Sequence, residues 1–578
     1  MQSPPQPVQT AMIELVRRSS QPRGLPAPVP AEAMRAVRDT LAGVPIAQRD
    51  LLIEHLHRLQ DRFGQLRTDH LGALAELMRV SVAEVYEAAS FYHHFDIARP
   101  RSDGGFDAPP TLTVRVCAGI ACELAGGREL LDSLQTPLAA KDVRVVAAPC
   151  IGRCEQAPAV LVHQRALGNA TLESVQAAVE RGDRTPEPIE PAVGPGSSEA
   201  TGAYTVLAEC LAGTRSAEQV MAALEASGLR GLGGAGFPAG LKWRAVRAAA
   251  SPRLMAVNID EGEPGTFKDR FHLERNAKRF LEGLLIAAWA TEIDNVFIDL
   301  RDEYHACRAL LERELAALRA APPMPALPMI ELRRGAGAYV CGEESAMFES
   351  IEGRRGLPRW RPPHAAERGL FGLPTLVHNF ETLYWVPEVL QRGADDFAAA
   401  GRHGSKGLRS FSVSGRVRQP GVKIAPAGIT LNELLAEHCG GLPDGHRLYA
   451  WLPGGASGGI LPASLADVPL DFGTLEPHGG DIGTAAVVVL SESDTHRDRA
   501  VDAARNLMAF FATESCGQCT PCRSGTARML ELIRTEHWDR AVLADLSLVM
   551  REASICGLGR AAPNPVDCVL RYFAHELT

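Results

Sequence analysis

At 578 residues the chain is too long for one hydrophobic core, and at roughly 100–200 residues per domain it divides into about three to five units. With 46% hydrophobic and 22% charged residues it has the composition of a folded soluble protein, and a formal net charge of -9 gives no support for nucleic-acid binding. No stretch reaches the ~20 apolar residues of a membrane helix, and no basic start followed by a long apolar run marks a secretory signal, so a cytoplasmic setting is expected.

Taken in order, residues 1–30 are rich in Pro, Gln and Ser and predict a flexible tail. Residues 31–105 predict a small helical domain. Leu51, Leu52, His55, Leu56 and Leu59 share one helical face, and Leu71, Leu74, Leu77 and Met78 follow. Residues 108–183 change character. Strand signals at 111–116, 143–146 and 159–162 and helical signals at 128–134 and 172–179 predict a compact α/β unit. Residues 184–203, with Pro186, Pro188, Pro191 and Pro195, predict a linker. Residues 204–405 form the largest unit, of mixed α/β pattern, and hold most of the glycine-rich motifs. Residues 406–492 carry short β runs at 410–413 and 486–490 with turn signals at 419–421 and 453–455, so a small β-rich insert is expected. Residues 493–578 are helical again, with Val501, Ala504, Met508 and Phe511 on one face.

The thirteen cysteines are unevenly spread, and eight lie in two tight groups. In a chain without an export signal such groups point to metal or cluster ligands rather than disulfides. Cys516, Cys519 and Cys522 are spaced C-x2-C-x2-C, with Cys556 after 33 intervening residues. Three thiolates at that spacing curl around one cubane and a distant fourth closes it, the pattern of [4Fe–4S] ligation. Zinc sites more often bring cysteines as pairs from two knuckles. Cys117, Cys122, Cys150 and Cys154 form C-x4-C and C-x3-C pairs, each following a strand signal, so both can emerge at one sheet edge. Spacing alone allows [2Fe–2S] or zinc here. Cys210, Cys307, Cys341, Cys439 and Cys568 read as small buried hydrophobes.

Residues 228–242 read G-L-R-G-L-G-G-A-G-F-P-A-G-L-K. Gly231, Gly233, Gly234 and Gly236 permit close backbone approach to a phosphate, and Lys242 adds charge; a tight structural turn is the competing reading. The spacing is not G-x-G-x-x-G, and no clear strand precedes it. Residues 258–270, N-I-D-E-G-E-P-G-T-F-K-D-R, crowd Asp260, Glu261 and Glu263 into a loop-like segment suited to a metal, to hydroxyl donors or simply to solvent. Residues 335–344, G-A-G-A-Y-V-C-G-E-E, again join glycines to paired carboxylates.

Together, in this order, these motifs make residues 204–578 resemble the NADH-binding flavoprotein subunit of bacterial complex I, and residues 31–180 resemble the small two-iron subunit of the same complexes, fused ahead of it. Fused versions occur in flavin subunits of NAD-reducing hydrogenases and in beta subunits of NAD-dependent molybdenum or tungsten formate dehydrogenases. R-D-L-L-I-E-H-L-H-R-L-Q-D-R-F-G-Q-L at 49–66, S-V-S-G-R-V-R-Q-P-G-V-K at 412–423 and L-P-G-G-A-S-G-G-I-L-P-A-S at 452–464 are most similar to the formate dehydrogenase version.

The resemblance implies a multidomain α/β and α+β fold: an N-terminal helical domain, a thioredoxin-like [2Fe–2S] domain, an FMN-binding α/β domain, a small β-grasp-like insert and a C-terminal helical bundle with [4Fe–4S]. It implies that Gly231, Gly233, Gly234 and Lys242 hold the FMN phosphate and ring environment. Asn258, Asp260 and Glu261 would contact the ribityl and isoalloxazine. Gly342, Glu343 and Glu344 would line the same pocket, with Asn379 near the phosphate, and Phe237, Glu263 and Tyr339 would lie where NAD docks. Cys516, Cys519, Cys522 and Cys556 would carry [4Fe–4S], and Cys117, Cys122, Cys150 and Cys154 would carry [2Fe–2S]. Four positions depart from the family pattern: Leu232 stands where Arg is common, Arg361 and His364 where Lys and Phe are, and His378 where a second Asn is usual. These departures bear on nucleotide affinity.

Flavin joins two-electron hydride chemistry to one-electron clusters, and hydride transfer itself requires no acid or base, so no residue is designated catalytic. The implied partner is a formate-oxidising alpha subunit with a molybdenum or tungsten pterin and further clusters. The hydrogenase and complex I readings are alternatives, and a zinc-bound structural scaffold is the reading from a different class.

Overall fold

The computed structural model describes residues 29–189 and 204–577; nearly all of the predicted tail at 1–30 and most of the predicted linker at 184–203 lie outside the described residues. The first unit packs the helices Ala31–Thr40, Leu52–Phe63, Thr68–Met78 and Val82–Phe91. Leu52, Leu56, Leu59, Leu71, Leu74 and Met78 are buried, while Leu51 and Leu77 sit half-buried at the edge of the stripe. Gly64 stops the second helix in the left-handed region, where a glycine carries no Cβ penalty. Ser81 and Glu84 form a capping box on the fourth. Two short strands, β1 (Leu66–Arg67) and β2 (Ile97–Ala98), pair in parallel and close the unit.

In the second unit β3 (Leu112–Cys117), β4 (Val143–Ala148), β5 (Val160–Val162) and β6 (Arg165–Leu167) form a sheet of order β4-β3-β5-β6. The helices Gly127–Ala139 and Leu172–Arg181 supply Leu134, Leu138 and Val175 to a core with Val114, Val116, Val160 and Val162. β3 and β4 run parallel, in register from Leu112 opposite Val143 to Cys117 opposite Ala148, so their carboxyl ends coincide.

In the third unit β7 (Leu254–Ile259), β8 (Asn295–Leu300), β9 (Met329–Arg334) and β10 (Thr375–Asn379) form a fully parallel sheet of order β10-β7-β8-β9. Met255, Val257 and Ile259 face the long helix Lys268–Thr291 and the helix Phe380–Arg392. Leu254, Ala256 and Phe297 face Met347 and Phe348 on the other side. β7 and β8 are buried on both faces and are accordingly rich in apolar residues, whereas the edge strand β9 is only partly buried. All four carboxyl ends open at one edge, where open α/β sheets hold ligands.

β11 (Leu408–Gly415), β12 (Gly421–Pro426), β13 (Arg447–Leu452), β14 (Leu461–Pro462) and β15 (Ala486–Glu492) make a mixed sheet of order β12-β11-β15-β13-β14. The helix Leu431–His438, capped by Thr430 and Glu433, packs into it. The last unit comprises the helices Ala500–Glu514, Thr520–Ile533, Arg540–Ala553, Gly557–Ala561 and Asn564–Tyr572. Val501, Ala504, Met508 and Phe511 are buried together there. Among the described residues no helix is long and apolar enough to cross a membrane.

Candidate cofactor and cluster sites

Cys516 and Cys519 lie in the turn before the helix Thr520–Ile533, Cys522 in its first turn, and Cys556 at the N-cap of the helix Gly557–Ala561. The four line one small pocket whose remaining walls include Val340, Pro358, Ile555 and Leu558. Ser515 Oγ stands 3.3 Å from Cys522 Sγ. Burial pushes the Cys522 thiol up to about 12 and Cys556 to about 11, so the bare thiols resist ionisation. A cationic metal core supplies the charge that stabilises thiolates in such a place, and an apolar four-sulfur pocket fits an iron–sulfur cubane.

The other four sulfurs meet at the coincident ends of β3 and β4. Cys117 closes β3, Cys122 lies in the short helix Ile120–Leu124, Cys150 follows β4, and Cys154 begins a single helical turn. All are at most 5% exposed, and the sulfurs of Cys150 and Cys154 are 3.4 Å apart. Hydrogen bonds from Cys117 and Cys154 pull Cys150 well down, while the shared protons and burial hold its two neighbours well up. This set of donors fits a four-thiolate centre.

The residues of the two acidic segments gather at the carboxyl edge of the parallel sheet. Asn258 on β7 stands opposite Asn379 on β10. Asn258 Nδ2 donates to the Gly342 carbonyl at 2.8 Å, and its Oδ1 accepts from the Asp260 N–H at 3.0 Å. Asn379 donates to Asp269 at 2.6 Å and accepts from Lys268 Nζ at 3.2 Å. The 231–236 loop between the helices Ala217–Ser227 and Ala239–Arg247 lies over Asn379. A Cβ on Gly233 would lie 3.0 Å from the Asn379 Cβ, a tight contact that glycine avoids. Gly231 donates to the Phe237 carbonyl at 2.9 Å, and Gly234 adopts φ +109°. Lys242 Nζ donates to the Val377 carbonyl at 3.0 Å; desolvation lowers its pKa and Glu344 opposes this. Asp260 Oδ2 is buried with no hydrogen-bond partner among the described residues, and burial holds that carboxyl well above its usual range. An unpaired carboxyl oxygen beside an amide pair and a glycine cradle fits a polyhydroxylated phosphate ligand.

Other predicted residues have partners within the protein. Glu261 accepts from the N–H groups of Asp269 (2.8 Å) and Arg270 (3.1 Å) and from the Tyr304 hydroxyl (2.8 Å), capping the helix Lys268–Thr291. Glu263 accepts from the Ser457 N–H at 2.8 Å and from the Tyr339 hydroxyl, tying the β7 loop to the insert. Glu343 caps the helix Glu344–Ile351 and pairs with Arg361. Phe237 is 50% exposed, available to a stacking partner. Tyr339 packs 5.0 Å from Phe510, and Val340 next to it lines the four-cysteine pocket. Segment 339–344 therefore forms a wall shared by the glycine-loop region and that pocket.

The four departures separate into two kinds. Leu232 is buried and donates its N–H to Thr382 Oγ1 at 2.9 Å. His378 is buried, held neutral by desolvation, and accepts from Trp243 Nε1 at 2.7 Å. Both positions are structural. Arg361 and His364 are exposed. Sequence reasoning missed Lys268, Asp269 and Glu381. Lys268 Nζ is 2.8 Å from Asp269, 3.1 Å from Glu381 and 1% exposed. The signal was present, since K-D-R ends the acidic motif at 258–270.

Comparison with known proteins agrees with these assignments of fold and cofactor. Residues 37–182 match the thioredoxin-like [2Fe-2S] ferredoxin model, 224–388 the Nuo51 FMN-binding domain, and 502–578 the NADH-ubiquinone oxidoreductase-F iron-sulfur binding region. An NADH-quinone oxidoreductase subunit of Rhizobium meliloti is 38% identical over 392 residues, 65% of this chain and 92% of that protein. The like-named subunit of Mycobacterium tuberculosis is 39% identical over 392 residues, 64% of this chain and 86% of that protein. A chain of the NAD+-reducing [NiFe]-hydrogenase in its H2-reduced state superposes with a TM-score of 0.79 at 32% identity, covering 92% of both chains.

Proposed function

The chain belongs to the family of NADH-binding flavoprotein subunits of NADH-quinone oxidoreductase, as an NAD-linked subunit with FMN, [4Fe–4S] and [2Fe–2S] cofactors, and from that premise we propose that it is the NAD end of a formate dehydrogenase. FMN, when bound, exchanges hydride with NAD(H) and single electrons with the clusters. The chain's own contribution is positioning. Asn258, Asp260 and Asn379 offer two amides and a carboxyl oxygen unpaired among the described residues at the sheet edge, the 231–236 loop lets backbone come close, and Glu343 and Glu344 close the wall. Glu263 and Tyr339, with exposed Phe237, flank the approach for the nicotinamide nucleotide. Cys516, Cys519, Cys522 and Cys556 hold [4Fe–4S], and Cys117, Cys122, Cys150 and Cys154 hold [2Fe–2S].

The wall at 339–344 supports the electron-transfer part of this reading, because Tyr339 bonds Glu263 on the β7 loop while its neighbour Val340 lines the four-cysteine pocket. Formate as the electron source is supported by segments 49–66, 412–423 and 452–464, which resemble the formate dehydrogenase version. The partner would then be an alpha subunit with a molybdenum or tungsten pterin, and the complex would work in the cytoplasm. The near full-length likeness to a chain of an NAD+-reducing hydrogenase favours a second reading, a hydrogenase diaphorase subunit. The test is to isolate the native complex anaerobically and follow NADH formation with formate and, separately, with hydrogen. Formate-driven reduction is expected. Hydrogen-driven reduction alone would replace the first reading with the second.

A further inference from the structure

We infer that Arg301 is a positioning residue that sets the potential of the [2Fe–2S] centre, its buried guanidinium favouring the reduced cluster while locking the Cys150 loop to the flavin-side loop. The inference rests on assigning that centre to Cys117, Cys122, Cys150 and Cys154. Arg301 follows β8 at the carboxyl edge of the parallel sheet and is 4% exposed. One Nη donates to the carbonyl of the ligand Cys150 at 2.6 Å, and the other to the carbonyl of Glu261, beside Asp260. Its Nε donates to Glu303 at 3.0 Å, and the guanidinium lies 5.1 Å from the Tyr304 ring centroid. A single side chain thus joins the loop that presents Cys150 to the loop that faces the flavin.

A second arginine serves as an internal comparison. Arg270 Nε donates to the Gly152 carbonyl at 2.9 Å, two residues after Cys150. Its charge is met by two carboxylates, Glu155 and Glu274. Among the described residues Arg301 makes one ion pair, with Glu303, and Asp260 and Glu514 feel its charge from further off. One electron taken up without a proton makes the cluster one unit more negative. A fixed, buried cation hydrogen-bonded to the carbonyl of a ligand residue stabilises that form. Cluster potentials respond to local charge and hydrogen bonding in this way. Arg301 therefore raises the potential, Glu303 restrains it, and Arg270 contributes mainly geometry.

The test is a mediated redox titration of the full-length, cluster-loaded protein, followed by the electron paramagnetic resonance signal of the reduced [2Fe–2S] centre. Arg301→Met is expected to raise the oxidised-to-reduced ratio at a fixed potential about tenfold, which is about 59 mV for one electron. Arg301→Lys should shift it less, and Glu303→Gln should shift it in the opposite direction. Opposite signs from two substitutions at one ion pair would not arise from loosened packing. Unchanged potentials in Arg301→Met and Glu303→Gln, with the signal intact, overturn the inference. If Arg301→Met loses the cluster's iron, Glu303→Gln alone decides. If the signal persists unchanged in Cys150→Ala, which removes the donor atom, the ligand assignment fails and the inference falls with it.

Discussion

Gly152 stands between two units with no room to spare. Its φ is +72°, in the left-handed region, and a Cβ there would collide with the Tyr304 hydroxyl. Either feature alone favours glycine, and together they make the Cys150–Cys154 loop sensitive to one methyl group. Gly152→Ala should cost about 1–3 kcal/mol and lower [2Fe–2S] occupancy, with FMN and [4Fe–4S] retained. Iron per chain and thermal unfolding read both effects, and full iron with an unchanged midpoint would disprove the fit. A different outcome follows at Glu263, whose carboxylate links Tyr339 to Ser457. Glu263→Gln should change the KM for NADH several-fold with flavin retained; unchanged kinetics would remove it from nucleotide docking. At this scale the cysteines were legible because ligand spacing is local. Arg301, Tyr304 and Lys268 were not, because their partners lie up to 151 residues away and leave no periodic trace.

The helix Lys268–Thr291 is the element on which the site depends. Its first turn carries Lys268, Asp269 and Arg270, and its orphan N–H groups are taken by Glu261 from the preceding loop. Capping of two buried donors makes Glu261→Ala costly, by about 1–3 kcal/mol. The substitution should also loosen the Tyr304 contact, so amide exchange should rise in the first turn of this helix and around Gly152 together. Exchange confined to one of them would show that the two are not coupled. The sequence pattern identified this stretch as an acidic loop, but the destination of Glu261 depends on the helix that follows it. The helix Leu431–His438 was similarly hidden inside a β-rich reading, since eight residues give barely two turns of periodicity. The strands at 410–413 and 486–490 were found because each is a continuous apolar or β-favouring run within longer strands of the same sheet.

At the scale of the molecule, the N-terminal helical unit covers β9, the edge strand of the flavin-side sheet, where unpaired backbone would otherwise be exposed. Arg333 on β9 donates to the Asp50 carbonyl (3.0 Å) and carboxylate (2.7 Å), with Glu54 at 3.5 Å. His57 Nε2 lies 2.9 Å from the Gly335 carbonyl, and His94 Nδ1 lies 2.7 Å from Asp302, whose other oxygen is held by Arg334. That polar seam, invisible to hydrophobic patterning, explains why sequence separates the units but does not show how they dock. Asp299 sits beneath the seam, 2% exposed. Burial first, and the Glu54 charge second, push its pKa from 3.8 up to about 7, against the pull of Arg333. The folded state therefore holds a proton that the unfolded chain releases near pH 4. Stability is fully present below the unfolded value, falls as pH rises through the window from about 4 to about 7, and is level above it. Asp299→Asn is neutral throughout, so its stability relative to the parent should increase across that window, by roughly 2–4 kcal/mol at pH 8. Thermal midpoints of both proteins at pH 5 and pH 8 measure the difference. A gap that does not change with pH would mean that Asp299 is ionised and paired in the folded protein, with Arg333 rather than burial dominating the seam.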